Sequence, residues 1–191
     1  MKKTLLTSLI LFTLTACTET TGKEAYEQGE YTKAVALYTN SANQGNEDAQ
    51  YNLGVMYAKG QGTKQDYKKA IKFYRKAAHQ GNASAQYRLG RMYEYGQGLE
   101  HNYTKAINFY IQSANQNNQF SQFNLGYMYH HGKGLKQDYK KAIELYIFAA
   151  NQENAFAQLN LGIMYSKGQG VKQDYSKAKW FQYELSSKFK L

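Results

Sequence analysis

The chain has 191 residues, a formal charge of +10 and 42% hydrophobic residues, enough for one domain with its own core. It holds no proline and 19 tyrosines, a composition that suits many helices packed through amphipathic rings. Its single cysteine excludes an intramolecular disulfide, and its 24 basic residues form no long run, so nucleic-acid binding is not expected.

Residues 1–16, MKKTLLTSLILFTLTA, read as a secretory leader. Lys2 and Lys3 form its charged start, and Leu5 to Leu14 form an apolar stretch too short to span a bilayer as a helix. Leu14-Thr15-Ala16-Cys17 resembles a bacterial lipobox. That resemblance implies cleavage after Ala16 and diacylglyceryl attachment to Cys17. Two or three acyl chains, at about 0.8 kcal/mol per buried methylene, anchor a protein stably. Thr18 is not the aspartate that commonly retains such proteins in the inner membrane. The expected place is therefore the cell envelope, at the outer membrane if the cell has one. Residues 17–23 then read as the acylated cysteine and a polar tether.

From residue 24 to 191 the chain repeats itself. Ala49-Gln50, Ala85-Gln86, Ser121-Gln122 and Ala157-Gln158 recur every 36 residues, a period that signals a stacked array. Within one unit, Ala49, Leu53, Met56 and Tyr57 form one helical stripe, and Tyr67, Ala70, Ile71, Tyr74, Ala77 and Ala78 form a second. Asn46, Asn82, Asn118 and Asn154 stand where they can cap the first helix of each unit. Asp66, Asn102, Asp138 and Asp174 can cap the second. Gly45, Gly81 and Asn117 suit a left-handed helix end, whereas Glu153 at the same place suits it less. Residues 24–48 read as a degenerate unit with a shorter turn and no Gly-x-Gly.

The pairs Gly60-x-Gly62, Gly96-x-Gly98, Gly132-x-Gly134 and Gly168-x-Gly170 each follow a helix, not a strand, and no Lys-Ser or Lys-Thr comes after them. They read as bends between antiparallel helices rather than phosphate loops. Gly54, Gly90, Gly126 and Gly162 fall in mid-helix, where glycine costs ~1 kcal/mol against alanine. Such recurrence predicts a close crossing of a partner backbone, with Ala70, Ala106, Ala142 and Ala178 as the small facing surface. The last unit changes its second helix, with Lys179, Gln182 and Ser186 at positions that are apolar earlier, as expected of a terminal repeat. Trp180 is expected to fold back over the end of the stack, with a contact surface as the alternative.

The pattern A-x-Y-N-L-G-x-M-Y-x-x-G-x-G-x-x-x-D-Y-x-K-A over about residues 49 to 191 resembles the Sel1-like repeat, a relative of the tetratricopeptide repeat. The resemblance implies an all-α, right-handed superhelical solenoid of antiparallel helix pairs. It also implies a concave groove lined by the first helices, at positions 51, 55, 58 and 59 and their counterparts. Position 51 is apolar in every unit and reads as packing. The others change chemistry and give a candidate groove of Val55, Lys59, Arg91, Glu94, Tyr95, Tyr127, His130, His131, Ile163 and Lys167. Arginine and aromatic side chains are the usual anchors of an interface.

The expected function is a non-catalytic adaptor that holds a protein or extended peptide in this groove and is tied to the membrane by lipid. One alternative is an anionic envelope polymer or glycan bound through Lys68, Lys69, Lys140 and Lys141, and a second is a β-lactamase-like or cell-wall hydrolase activity. Some cysteine-rich relatives carry a β-lactamase label, but the S-x-x-K here, Ser187 to Lys190, lacks Ser-Asp-Asn and Lys-Thr-Gly partners. His130-His131 invites a metal reading, yet adjacent helical side chains point about 100° apart and no third ligand stands at a useful spacing. No cofactor is implied, and nothing sets an oligomeric state.

Overall fold

The computed structural model describes residues 22–181. The leader, Cys17, Gln182, Ser186 and Ser187 lie outside the described residues. Those residues form ten helices and no strand. They are α1 (22–27), α2 (Tyr31–Asn43), α3 (Glu47–Lys59), α4 (Tyr67–His79), α5 (Ala83–Tyr95), α6 (Tyr103–Ala114), α7 (Gln119–His131), α8 (Tyr139–Asn151), α9 (Ala155–Lys167) and α10 (175–181). The all-α, solenoid-type array of helix pairs is as the 36-residue period predicts. Contacts divide the chain inside α5 into two compact units, Met1–Leu89 and Gly90–Leu191.

Helix boundaries follow local chemistry throughout. Each of the eight expected caps accepts a backbone N–H from three residues on, from Asn46 with Ala49 to Asp174 with Lys177. Such caps satisfy one of the donors a helix start leaves free, worth about 1 kcal/mol each. Gly60, Gly132 and Gly168 close α3, α7 and α9 in the left-handed conformation. Gly45 and Gly81 have positive φ, and so do Asn117 (61°) and Glu153 (67°). Glu153 thus takes the turn that its side chain makes unfavourable.

In the first unit, α3 packs on α2 and on α4. Ala34, Tyr38, Ala42, Ala49, Leu53 and Met56 are buried together. Gln50 Nε2 donates to the Ala42 carbonyl and Gln50 Oε1 accepts from Gln80, so one buried amide ties three helix ends. Gly62 lies directly on the Tyr31 backbone, where a Cβ would collide. The second glycine of the pair is therefore a seat for the preceding hairpin as well as a bend.

In the second unit, α7 packs on α6 and α8, and α8 on α9. Its core runs through Ala142, Ile143, Tyr146, Ala149, Leu161 and Met164. Gln122 repeats the amide tie, with Ala114 and Gln152 as partners. Gly134 and Gly170 press on Tyr103 and Tyr139 as Gly62 presses on Tyr31.

The mid-helix glycines permit the close crossing expected, but a side chain comes nearer than the partner backbone. A Cβ on Gly54, Gly90 or Gly126 would stand 2.6, 2.7 or 2.9 Å from the ring of Tyr74, Tyr110 or Tyr146. The closest neighbour is a buried tyrosine ring one helix on, and the Ala106 and Ala142 carbonyls come second at 3.3 Å. A flat ring four residues beyond the alanine reaches back over it and fills the space the glycine leaves. Trp180 is 55% exposed, and its ring meets that of Phe181 in a T-shaped pair with centres 4.8 Å apart.

Candidate binding surface

The candidate residues divide between the two units. In the first, Val55 is half-buried and Lys59 exposed on α3. Their neighbour Tyr51 lies 6.0 Å from the Tyr74 ring. Burial pushes the Tyr74 hydroxyl well above the usual tyrosine range, with the Arg88 charge acting against it.

In the second unit, α5 pairs Arg91 with Tyr95, while α7 and the following bend group Tyr127, His131 and Lys133. The Arg91 guanidinium lies 5.3 Å from the centre of the Tyr95 ring, and Lys133 Nζ lies 4.9 Å from that of Tyr127. Tyr127 and His131 have ring centres 4.2 Å apart. Tyr95 is 59% exposed. Partial burial and Glu94 raise its hydroxyl pKa, while Arg91 and Lys133 pull the other way. Lys133 was not foreseen; it sits on the bend, at a position the groove register does not include. Ile163 is half-buried and Lys167 exposed on α9.

Two candidates do not face solvent. Glu94 is 7% exposed and accepts a 2.6 Å hydrogen bond from the Tyr110 hydroxyl. His130, one period later, is also 7% exposed. Its ring meets Tyr139 and Tyr146 edge-on, and its Nδ1 has no partner among the described residues. The Tyr146 hydroxyl and Gln169 Oε1 are buried without partners too. Burial, then the adjacent His131 and Lys167, lowers the His130 pKa against an opposing pull from Gln169. Burial and Lys133 lower that of His131. The two imidazoles stack, 4.5 Å apart and within 13° of parallel. Rotation about χ1 and χ2 thus cancels the divergence of their Cα–Cβ bonds. Among the described residues, no group of three or more His, Cys, Asp or Glu is placed to hold a metal.

The lysines proposed for polymer binding are exposed, but some are already engaged. Lys69, Lys105, Lys141 and Lys177 lie 5.2 to 5.4 Å over Tyr57, Tyr93, Tyr129 and Tyr165. Recurrence in every unit marks this as a packing device of the bend.

Each unit also has a crevice that sequence reasoning missed. In the first, about 460 Å³ is lined by Gln50, Arg75, Lys76 and His79 among others. In the second, at positions two periods on, about 230 Å³ is lined by Gln122, Leu125, Leu145 and Phe148 among others. The frame is the same and the walls change from basic to apolar. No helix of the described residues is long and apolar enough to cross a membrane.

The Sel1 repeat profile matches residues 22–46, 47–82, 83–118, 119–154 and 155–181. Among solved structures, the chain resembles a protective antigen of uropathogenic Escherichia coli with an SLR fold. Identity is 35% over 91% of this chain and 38% of that one, with a TM-score of 0.85. It therefore spans well under half of that relative. It also resembles a Sel1 repeat protein from Oxalobacter formigenes, at 34% identity, 88% and 69% coverage and a TM-score of 0.82. Cysteine-rich protein B of Helicobacter pylori is similar in fold alone, at 22% identity, 67% and 92% coverage and a TM-score of 0.54. No curated protein matches the chain.

Proposed function

This chain belongs to the Sel1 repeat family, and on that premise we propose that it is a non-catalytic adaptor whose second unit captures a protein or peptide through Arg91, Tyr95, Tyr127, His131 and Lys133. Sel1 repeat proteins usually act as protein-binding scaffolds. One observation supports the site: positions that vary in chemistry from repeat to repeat hold Arg91 over Tyr95 and Lys133 over Tyr127, and the charge of Lys133 is felt at the Tyr95 hydroxyl. Of the other candidates, Glu94 and His130 are buried. Val55 and Lys59 belong to the first unit and take a secondary part in this reading.

The lipobox-like Cys17 supports attachment to the cell envelope, at the outer membrane in a cell that has one. Acylation there would hold the repeats at a membrane surface and confine partner capture to it. The test is crosslinking in living cells, comparing the native chain with the Arg91→Ala/Tyr95→Ala/Tyr127→Ala variant. The variant is expected to lose its crosslinked partner while keeping its helicity; an unchanged set of adducts would sink the site. Cys17→Ser is expected to shift the protein from the membrane to the soluble fraction.

A further inference from the structure

We infer that the segment held by this cluster is an acidic peptide with apolar side chains, its carboxylates bound by Arg91 and Lys133 and its apolar groups laid on the neighbouring rings. The inference rests on the adaptor reading and narrows it to a partner chemistry.

The cations of the cluster have no ion-pair partner among the described residues. Among the described residues, no carboxylate lies within ion-pair distance of Arg91, Lys133 or Lys167. The one acid among the candidate residues, Glu94, is buried and committed to the Tyr110 hydroxyl. The cations are nevertheless held in place, Arg91 over Tyr95 and Lys133 over Tyr127. A cation–π contact fixes the charged head but uses none of its N–H donors for an acceptor, so the guanidinium can still take a carboxylate through two parallel bonds. Pre-ordering the side chains also lowers the entropy cost of binding.

The surface next to the cations is apolar. Tyr127 leads to Phe123 at 6.3 Å, and Phe123 to Phe156 at 5.9 Å. Phe156 is 67% exposed. A chain of phosphates or sulfates would satisfy the cations but offer nothing to these rings. A peptide that carries both acidic and apolar side chains matches both halves.

Fluorescence anisotropy with three labelled twelve-residue peptides tests this: one alternating Glu and Phe, one with Gln in place of Glu, one with Lys. The Glu peptide is expected to bind and to weaken as salt rises. Arg91→Ala/Lys133→Ala should reduce its affinity at least about tenfold, the scale of two interface anchors, whereas Lys68→Ala/Lys140→Ala should leave it within about twofold. Equal binding of the Gln peptide overturns the acidic assignment. Polyphosphate that competes fully and depends on Lys68 and Lys140 overturns it in favour of the polymer. If no peptide binds but crosslinked partners still require Tyr95 and Tyr127, the adaptor reading stands and only the acidic chemistry fails. If the partners are also indifferent to those rings, both fail. Circular dichroism of each variant separates lost binding from lost fold.

Discussion

Two tyrosine rings of the second unit rest in the same seat but meet different company. Tyr110 lies against Gly90 and its hydroxyl donates a hydrogen bond to Glu94 at 2.6 Å. Tyr146 lies against Gly126, faces His130 edge-on at 6.1 Å between ring centres, and its hydroxyl has no hydrogen-bond partner among the described residues. The ring position is therefore set by the glycine seat and not by the polar contact. Once the seat holds the ring, the buried position that Glu94 and His130 share is free to be an acid in one repeat and an imidazole in the next. Repeat proteins can vary a face in this way without altering the joint that supports it.

Removing each hydroxyl tests that separation most strongly. Tyr110→Phe should cost roughly 2 kcal/mol because it strands a buried carboxylate, while Tyr146→Phe should stay within about 0.5 kcal/mol or stabilise slightly. Urea unfolding of both variants reads the difference; equal losses would mean that the hydroxyls, and not the seat, hold the rings. Filling the seat comes next. Gly90→Ala and Gly126→Ala should each cost about 1–2 kcal/mol, since overpacking against the ring exceeds the gain in helix propensity. If either variant is stabilised, the ring must move freely.

Acid should separate the two seats further. His130 and His131 have lowered pKa values in the folded chain, so the unfolded chain binds more protons just below the ordinary histidine value. Stability should then be complete above about pH 6.5 and fall as the pH drops through the unfolded value toward the folded ones. Thermal melts at pH 7.5 and 5.5 check the sign, and His130→Gln should flatten the response. The smallest expected effect is at the turns. Glu153→Gly should gain about 0.5–1 kcal/mol by relieving a left-handed side-chain residue, and Asn117→Gly less.

Much of this fold is legible in the sequence because its causes are local. The caps at Asn46 and Asp66 and the left-handed Gly45 and Gly60 depend on groups within a few residues, and the 36-residue period repeats them. What meets Gly90 was not legible. A helical stripe fixes the direction of a side chain but not its reach, so the ring of Tyr110 comes closer to Gly90 than the Ala106 backbone that was expected there. The same limit hid the burial of Glu94 and His130, which stand at the edge of their stripe. Stacking of His130 on His131 depends on side-chain torsions that no spacing records. The two crevices join residues about 30 positions apart, and Lys133 joins the candidate cluster from a bend.

The contacts of Gly62 with Tyr31, Gly134 with Tyr103 and Gly170 with Tyr139 carry a consequence for how such a chain can change length. Each joint is carried by the incoming hairpin, as a bare stretch of backbone that docks onto the hairpin before it. A duplicated block of 36 codons would therefore arrive with its own hinge already cut to fit, whereas losing one or two codons inside a bend would leave a side chain where only hydrogen can stand. Growth and shortening by whole blocks is the route this architecture leaves open to its gene.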